Sequence, residues 1–214
     1  MTLDEPGVCR KEKMIMLKRL SLPILFGFMM TLTSTGFAAG NATEAVRMSV
    51  EAIIGILKDA QLDKPARRDR IRGVIADRFD FRAMSQRTLA TNWKKATREE
   101  QQQFVELFAE LIQNTYIGRV EAYTNEEVTY PGEKITDDRA VVDTLIVTSS
   151  KEIPVTYRLY LKNDRWLVYD VNIEGVSLIS NFRTSYQEIV KKEGFTGLLA
   201  KMEEKVRELA NAPS

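Results

Sequence analysis

Between Val128 and Ile173 the apolar residues recur at every second position, interrupted by three short polar turns at Asp137-Asp138, Ser149-Ser150-Lys151 and Asn163-Asp164. A period of two sends alternate side chains to opposite faces of a strand, so each run buries one side. Turns this short join neighbours into an antiparallel meander. The middle of the chain is thereby committed to a single sheet with one face to cover. Pro131-Gly132, inside the first run, marks a bend or a sheet edge.

The cover has to come from the flanks, where the spacing is helical. Glu44 to Ala60 places Val46, Val50, Ile53, Ile54 and Leu57 on one face, and Pro65 opens a second helix carrying Ile71, Val74, Ile75 and Phe79. Asp80 can cap a short third helix bearing Phe81, Met84 and Leu89, with Trp93 in the turn that follows. Thr97 and Glu100 form a capping box before the longest helix, Arg98 to about Tyr123. Its apolar face holds Phe104, Leu107, Phe108, Leu111, Ile112 and Thr115, widened by Val105, Tyr116 and Ile117. The last strand alternates through Leu167, Tyr169, Val171 and Ile173, then turns at Glu174-Gly175 into a helix with Val176, Ile179, Phe182, Tyr186, Ile189 and Val190 on one side. Ser177 serves as its N-cap. Gly194 ends that helix, and a final one follows with Phe195, Leu198, Leu199, Met202, Val206 and Leu209 on a stripe. Helices, then strands, then helices make an α+β fold, with helices on one face of a curved antiparallel sheet.

Residue types close off much chemistry. The 214 residues include no histidine and a single cysteine, Cys9. Zinc sites of Cys and His, Ser-His-Asp or Cys-His catalysis and structural disulfides are thus excluded. No glycine pattern for phosphates is present. Net charge is +1; the first 38 residues hold five basic and three acidic side chains, leaving 26 against 27. That balance argues against a nucleic-acid partner. Asp170 and Glu174 are spaced to share a face of the last strand, so a buried carboxylate pair for acid–base work is one reading. The other gives Asp170 a local hydrogen bond and Glu174 the Gly175 turn.

Residues 14 to 40 have the form of a secretory signal: Lys18 and Arg19, an apolar run from Leu20 to Leu32, then small residues. The run is shorter than the roughly twenty residues that a membrane span takes. Cleavage falls after Ala38, or alternatively after Gly40, and Met14 or Met16 is a possible true start. The chain then divides into a leader, 1–38, and one domain, 39–214.

The run WLVYDVNIEGVSLISNFR, with RFDFRAMSQRTLATNWKKAT upstream, closely resembles the signature of the MlaC family of periplasmic phospholipid carriers, also called toluene-tolerance auxiliary proteins. Trp166, Asp170, Val171, Glu174, Gly175, Val176, Ser177, Leu178, Asn181, Phe182 and Arg183 carry the likeness. The resemblance implies a non-enzymatic carrier in the periplasm, with no cofactor beyond its phospholipid cargo, held in an apolar cavity between helices and curved sheet. The residues it points to as lining are Phe104, Phe108, Leu111, Ile112, Tyr130, Val142, Val147, Tyr157, Leu159, Val171, Val176, Ile179 and Phe182. It further implies a monomer that exchanges lipid with an outer-membrane lipoprotein–porin complex and an inner-membrane ABC transporter with its periplasmic substrate-binding ring, maintaining outer-membrane lipid asymmetry. A hopanoid ligand is a variant of that reading. A cavity-bearing enzyme using Asp170, or an adaptor with a solid interior, are the competing classes.

Overall fold

The computed structural model describes residues 41–123 and 125–211. The segment expected to be a secretory signal, the expected cleavage point and Cys9 lie outside the described residues. Four helices come first: α1 (Ala42–Lys58), α2 (Lys64–Arg78), α3 (Phe81–Leu89) and α4 (Arg98–Glu121). Side chains at each N-terminus satisfy amides that have no partner within the helix. Asn41 accepts from the Glu44 amide at 2.6 Å, Asp63 from Ala66 at 2.8 Å and Asp80 from Ala83 at 2.8 Å. At α4 the capping box is complete: Thr97 Oγ1 accepts from the Glu100 amide at 3.1 Å, and the Thr97 amide donates to Glu100 Oε2 at 2.8 Å. Trp93 sits in a 3-10 helix, Ala90–Lys95, rather than an irregular turn.

The strands β1 (Glu127–Thr136), β2 (Arg139–Val147), β3 (Glu152–Lys162) and β4 (Arg165–Ile173) follow, with a two-residue β5 (Val176–Ser177) leading into α5 (Leu178–Asn211). They lie side by side in chain order, antiparallel throughout. Asn163 and Asp164 both have positive φ (50° and 58°), as do Glu174 and Gly175 (51° and 87°). Two-residue hairpins need that geometry, because it matches the twist of the strands they join. β5 is therefore a fifth strand beyond the meander of four. Gly194, at φ 70°, interrupts α5 and splits it into two helical segments.

Two bulges set which side chains face inward. In β1 the register slips between Thr129 and Gly132, where Pro131 sits on the sheet edge. In β4, Asp170 pairs with Arg158 but Val168 pairs with the next residue, Leu159, so one residue of β4 is extra. The uniform alternation expected for Leu167, Tyr169, Val171 and Ile173 is accordingly corrected: Trp166 and Val168 join the buried cluster before the bulge, Val171 and Ile173 after it. One inserted residue exchanges the two faces of a strand.

The edge of β4 away from β3 is closed by the chain leaving α2. Phe79 forms a parallel bridge with Val168, the Asp80 amide donates to Val168 O at 2.9 Å, and Arg78 donates to Trp166 O at 2.8 Å. Unpaired edges invite non-native pairing, and this one is covered.

Candidate functional site

The apolar interior divides in two. One cluster is helical and includes Met84, Leu89, Phe104, Phe108, Ile112, Ile179 and Tyr186. The other lies on the sheet and includes Val46, Val142, Leu159, Trp166, Val168 and Val171. Among the described residues, only the half-buried Phe79 and Tyr116 pack against both. Helix α4 explains the division. It packs along α5 and α3, whereas the helices lying close to strands are α1, α2, α3 and α5. The long helix is thus mainly a second layer behind α3 and α5, reaching the sheet cluster through Tyr116.

The lining residues expected from the sequence fall on both sides of this seam. Phe104, Phe108, Ile112, Ile179 and Phe182 belong to the helical side. Val142, Leu159 and Val171 belong to the sheet side, with Tyr130 and Tyr157 packed at its margin. Leu111 is buried but in neither cluster. Two assignments need correction. Val147 is an odd number of residues from Val142 along β2 and lies opposite Glu127 and Glu152, so it takes the other face of the sheet. Val176 is 56% exposed, because it belongs to the β5 hairpin and not to the helix. Phe79 and Tyr116 were legible as helical apolar residues, but only the tertiary fold reveals them as the bridge.

Ring packing dominates the helical wall. Phe104 stacks on Phe108 with centroids 5.5 Å apart, and Phe182 meets the edge of Phe108 at 5.3 Å. Such contacts add to the burial of each ring. Burial pushes the Tyr157 hydroxyl up to about 12, with neighbouring Tyr130 adding to the effect, and burial also raises that of Tyr186. Both therefore stay neutral at ordinary pH and keep the apolar walls uncharged.

The two best-formed depressions among the described residues are both open to solvent. One, about 250 Å³, is lined on α2 by Lys64, Pro65, Arg68, Asp69 and Arg72. The other, about 240 Å³, is lined by Arg87, Arg158, Tyr169, Asp170, Ser177, Ile179, Ser180 and Arg183. Neither is the enclosed apolar cavity expected from the sequence. The helical wall is instead packed on itself, as the Phe104, Phe108 and Phe182 rings are, and it meets the sheet cluster at Phe79 and Tyr116. An empty apolar hollow costs about 24 cal/mol per Å³, which drives such walls together.

Acid–base chemistry finds no pair of carboxylates here. Asp170 is buried, accepting from Ser177 Oγ at 2.8 Å and from the Ile179 amide at 3.2 Å. Glu174 sits in the hairpin turn, exposed, 3.5 Å from Lys151 Nζ. Ser177 is the helix cap expected of it, accepting from the Ser180 amide at 3.1 Å. Among the described residues, no cluster of His, Cys, Asp or Glu is placed to hold a metal, and no helix is long and apolar enough to cross a membrane.

The family profile described as "MlaC protein" matches residues 47–204, most of the chain. The chain belongs to the MlaC family. A curated relative, the "Intermembrane phospholipid transport system binding protein MlaC" of Haemophilus influenzae, is 25% identical over 124 residues, 55% of this chain. The match spans 58% of that relative's length. Among solved structures, the phospholipid-binding protein from Ralstonia solanacearum, in complex with a phospholipid, superposes with a TM-score of 0.73 at 25% identity. That likeness covers 80% of this chain and 99% of the other. The MlaC match contains the whole seam from Phe79 to Phe182, the two bulges and the corner at Asp170 and Ser177.

Proposed function

We propose that residues 39–214 form a phospholipid carrier, delivered to the periplasm by the leader and released from it. The acyl chains would lie along the seam between the α4–α5 wall and the sheet, displacing the contacts that Phe79 and Tyr116 make across it. What carries the reading is the division of the core into two apolar clusters, bridged among the described residues by Phe79 and Tyr116 alone. A protein stabilised by one continuous core has no plane along which to part. Here two walls can separate while each keeps its own packing. Membership of the MlaC family and the likeness to a phospholipid-bound neighbour support the choice of ligand.

Energetics explain why such a carrier is needed. Burying a methylene is worth about 0.8 kcal/mol, so two chains of roughly fourteen methylenes come to about 22 kcal/mol. A lipid leaves a bilayer slowly unless it meets a dry surface of comparable area. The clusters that form the walls are apolar, and burial holds Tyr130, Tyr157 and Tyr186 neutral. On this reading the lipid passes between an outer-membrane lipoprotein–porin complex and an inner-membrane ABC transporter with its periplasmic ring, sustaining outer-membrane lipid asymmetry. A monomer suits that exchange.

Solvent extraction of the protein purified from a lipid-replete periplasm tests the proposal. About one phospholipid per chain by mass spectrometry is expected. Recovery of none, together with failure to take labelled phospholipid from vesicles, would overturn it.

A further inference from the structure

The depression of about 240 Å³ beside the corner of β4 and α5 gathers three guanidinium groups, those of Arg87 on α3, Arg158 on β3 and Arg183 on α5. None of the three forms an ion pair among the described residues, although arginines elsewhere in the fold do so at Glu121, Asp77 and Asp138. Two are held in place by contacts that leave donors unused. Arg87 lies over the Tyr169 ring, 4.1 Å from its centroid, with a buried Nε that has no acceptor. Arg183 donates from Nε and Nη2 to Arg87 O at 3.0 and 2.7 Å, which leaves Nη1 unengaged. The Arg158 side chain, exposed, makes no hydrogen bond among the described residues. The single carboxylate in the lining is already occupied: Asp170 accepts from Ser177 Oγ and from the Ile179 amide.

Three cations with spare donors thus surround one concavity that holds a single carboxylate, Asp170. Guanidinium forks match the oxygens of a phosphate, and stacking or backbone bonds that fix the fork reduce the ordering cost of binding. Ile179 connects the two environments. It lines this depression and also belongs to the helical apolar cluster with Phe104 and Phe108. An anion seated among the arginines therefore sits next to the helical apolar cluster; Arg158, paired with Val141, stands on the face of the sheet away from Val142 and Leu159.

We propose that Arg87, Arg158 and Arg183 form a phosphate-ester site, which takes the phosphodiester of an amphiphile whose chains lie beyond Ile179. The assignment rests on the carrier reading for the chains; the anion site itself would also accept a soluble phosphate ester. It gives the protein a preference for phosphate-bearing over phosphate-free lipids.

The test uses the delipidated protein and its Arg158→Gln variant, chosen because the Arg158 side chain makes no hydrogen bond or ion pair among the described residues. Thermal denaturation checks that the fold is unchanged. In one arm, phosphatidylcholine vesicles carry equal amounts of phosphatidylglycerol and diacylglycerol with matched chains, and the ratio taken up is measured. In the other, glycerophosphoglycerol is titrated while arginine side-chain NMR signals are followed. Loss of a charge-assisted hydrogen bond should lower the phosphatidylglycerol preference roughly tenfold in the variant, which assigns the site to the lipid head group. If the lipid ratio is unchanged but glycerophosphoglycerol shifts the wild-type arginines and not the variant's, the site serves soluble phosphate esters. Equal uptake of both lipids by the wild type, with no response to glycerophosphoglycerol, overturns the site while leaving the carrier reading standing. Uptake of neither lipid overturns the carrier reading, and the titration still decides the anion site.

Discussion

Ser177 Oγ donates to Asp170 Oδ2 at 2.8 Å across the corner where β4 returns into α5, and also accepts from the Ser180 amide at 3.1 Å. The other oxygen of Asp170 takes the Ile179 amide. A buried carboxylate thus neutralises the positive end of α5 and fixes its direction relative to the sheet. Since Ile179 and Phe182 stand on the first turns of that helix, the aim of the helical wall depends on this bond.

Asp170→Ala should cost about 1–3 kcal/mol, because it leaves a buried amide and a hydroxyl without their acceptor. Asp170→Asn keeps one acceptor oxygen and should cost less. Urea denaturation of both variants measures the difference. Equal and negligible losses would show that the corner is held by apolar packing alone.

A second polar contact predicts a pH dependence. Tyr160 Oη donates to Asp80, the cap of α3, and Lys162 Nζ lies 3.6 Å from the same oxygen. Burial opposes ionisation of Asp80, but the bonds from Tyr160 and the Ala83 amide and the charge of Lys162 together hold its carboxyl below the ordinary 3.8. Burial, then the bond to Asp80, pushes the Tyr160 hydroxyl up to about 12. The depressed carboxyl contributes stability that is present above about pH 4 and lost as pH falls through its folded value. The raised phenol contributes stability that is full below about pH 10 and lost as pH rises through about 12. Tyr160→Phe should flatten the stability profile at both ends, as read by urea denaturation across pH 2–12.

Much of this architecture was legible in the residues. The caps at Asp80 and Thr97, the turns at Asn163-Asp164 and Glu174-Gly175 and the break at Gly194 are all local chemistry, and local chemistry is written where it acts. The facing of side chains was not, because a bulge is set by how two distant strands pair. The extra residue in β4 moved Leu167 and Tyr169 off the face that Val171 occupies. Likewise the division of the core follows from α4 standing behind α3 and α5. An apolar stripe specifies that a helix is covered, but not by which neighbour. The arginine group at Arg87, Arg158 and Arg183 draws on three separate elements and had no local signature.

The corrected wall has a direct consequence for lipid content. Val176→Lys and Val147→Lys alter an exposed hairpin position and the far face of the sheet, so each should change stability by no more than about 0.5 kcal/mol. Both should retain wild-type phospholipid after extraction. Leu159→Ala removes a fully buried side chain from the sheet wall and should cost about 2–5 kcal/mol in the lipid-free protein. Loaded protein should lose less, because hydrocarbon can enter the space left behind. Thermal denaturation with and without bound lipid separates the two cases.

Gly194 carries the last prediction. Its φ of 70° and ψ of −172° lie in a region that residues with a Cβ rarely adopt. A Cβ built there meets nothing within 4 Å, so the penalty for replacing it comes from the backbone and not from crowding. Gly194→Ala should therefore lower stability by about 1–3 kcal/mol, or else straighten α5 into one continuous helix. The two outcomes differ in consequence. Straightening would draw Leu198, Leu199 and Met202 away from Phe104 and Met84, which share their cluster, and would be seen as lost near-ultraviolet dichroism from the packed rings. Simple strain would leave that signal intact and lower only the melting temperature. A D-alanine at the same position, introduced by chemical ligation, has the mirror preference in φ and should restore the wild-type melting temperature if backbone conformation is the whole cause.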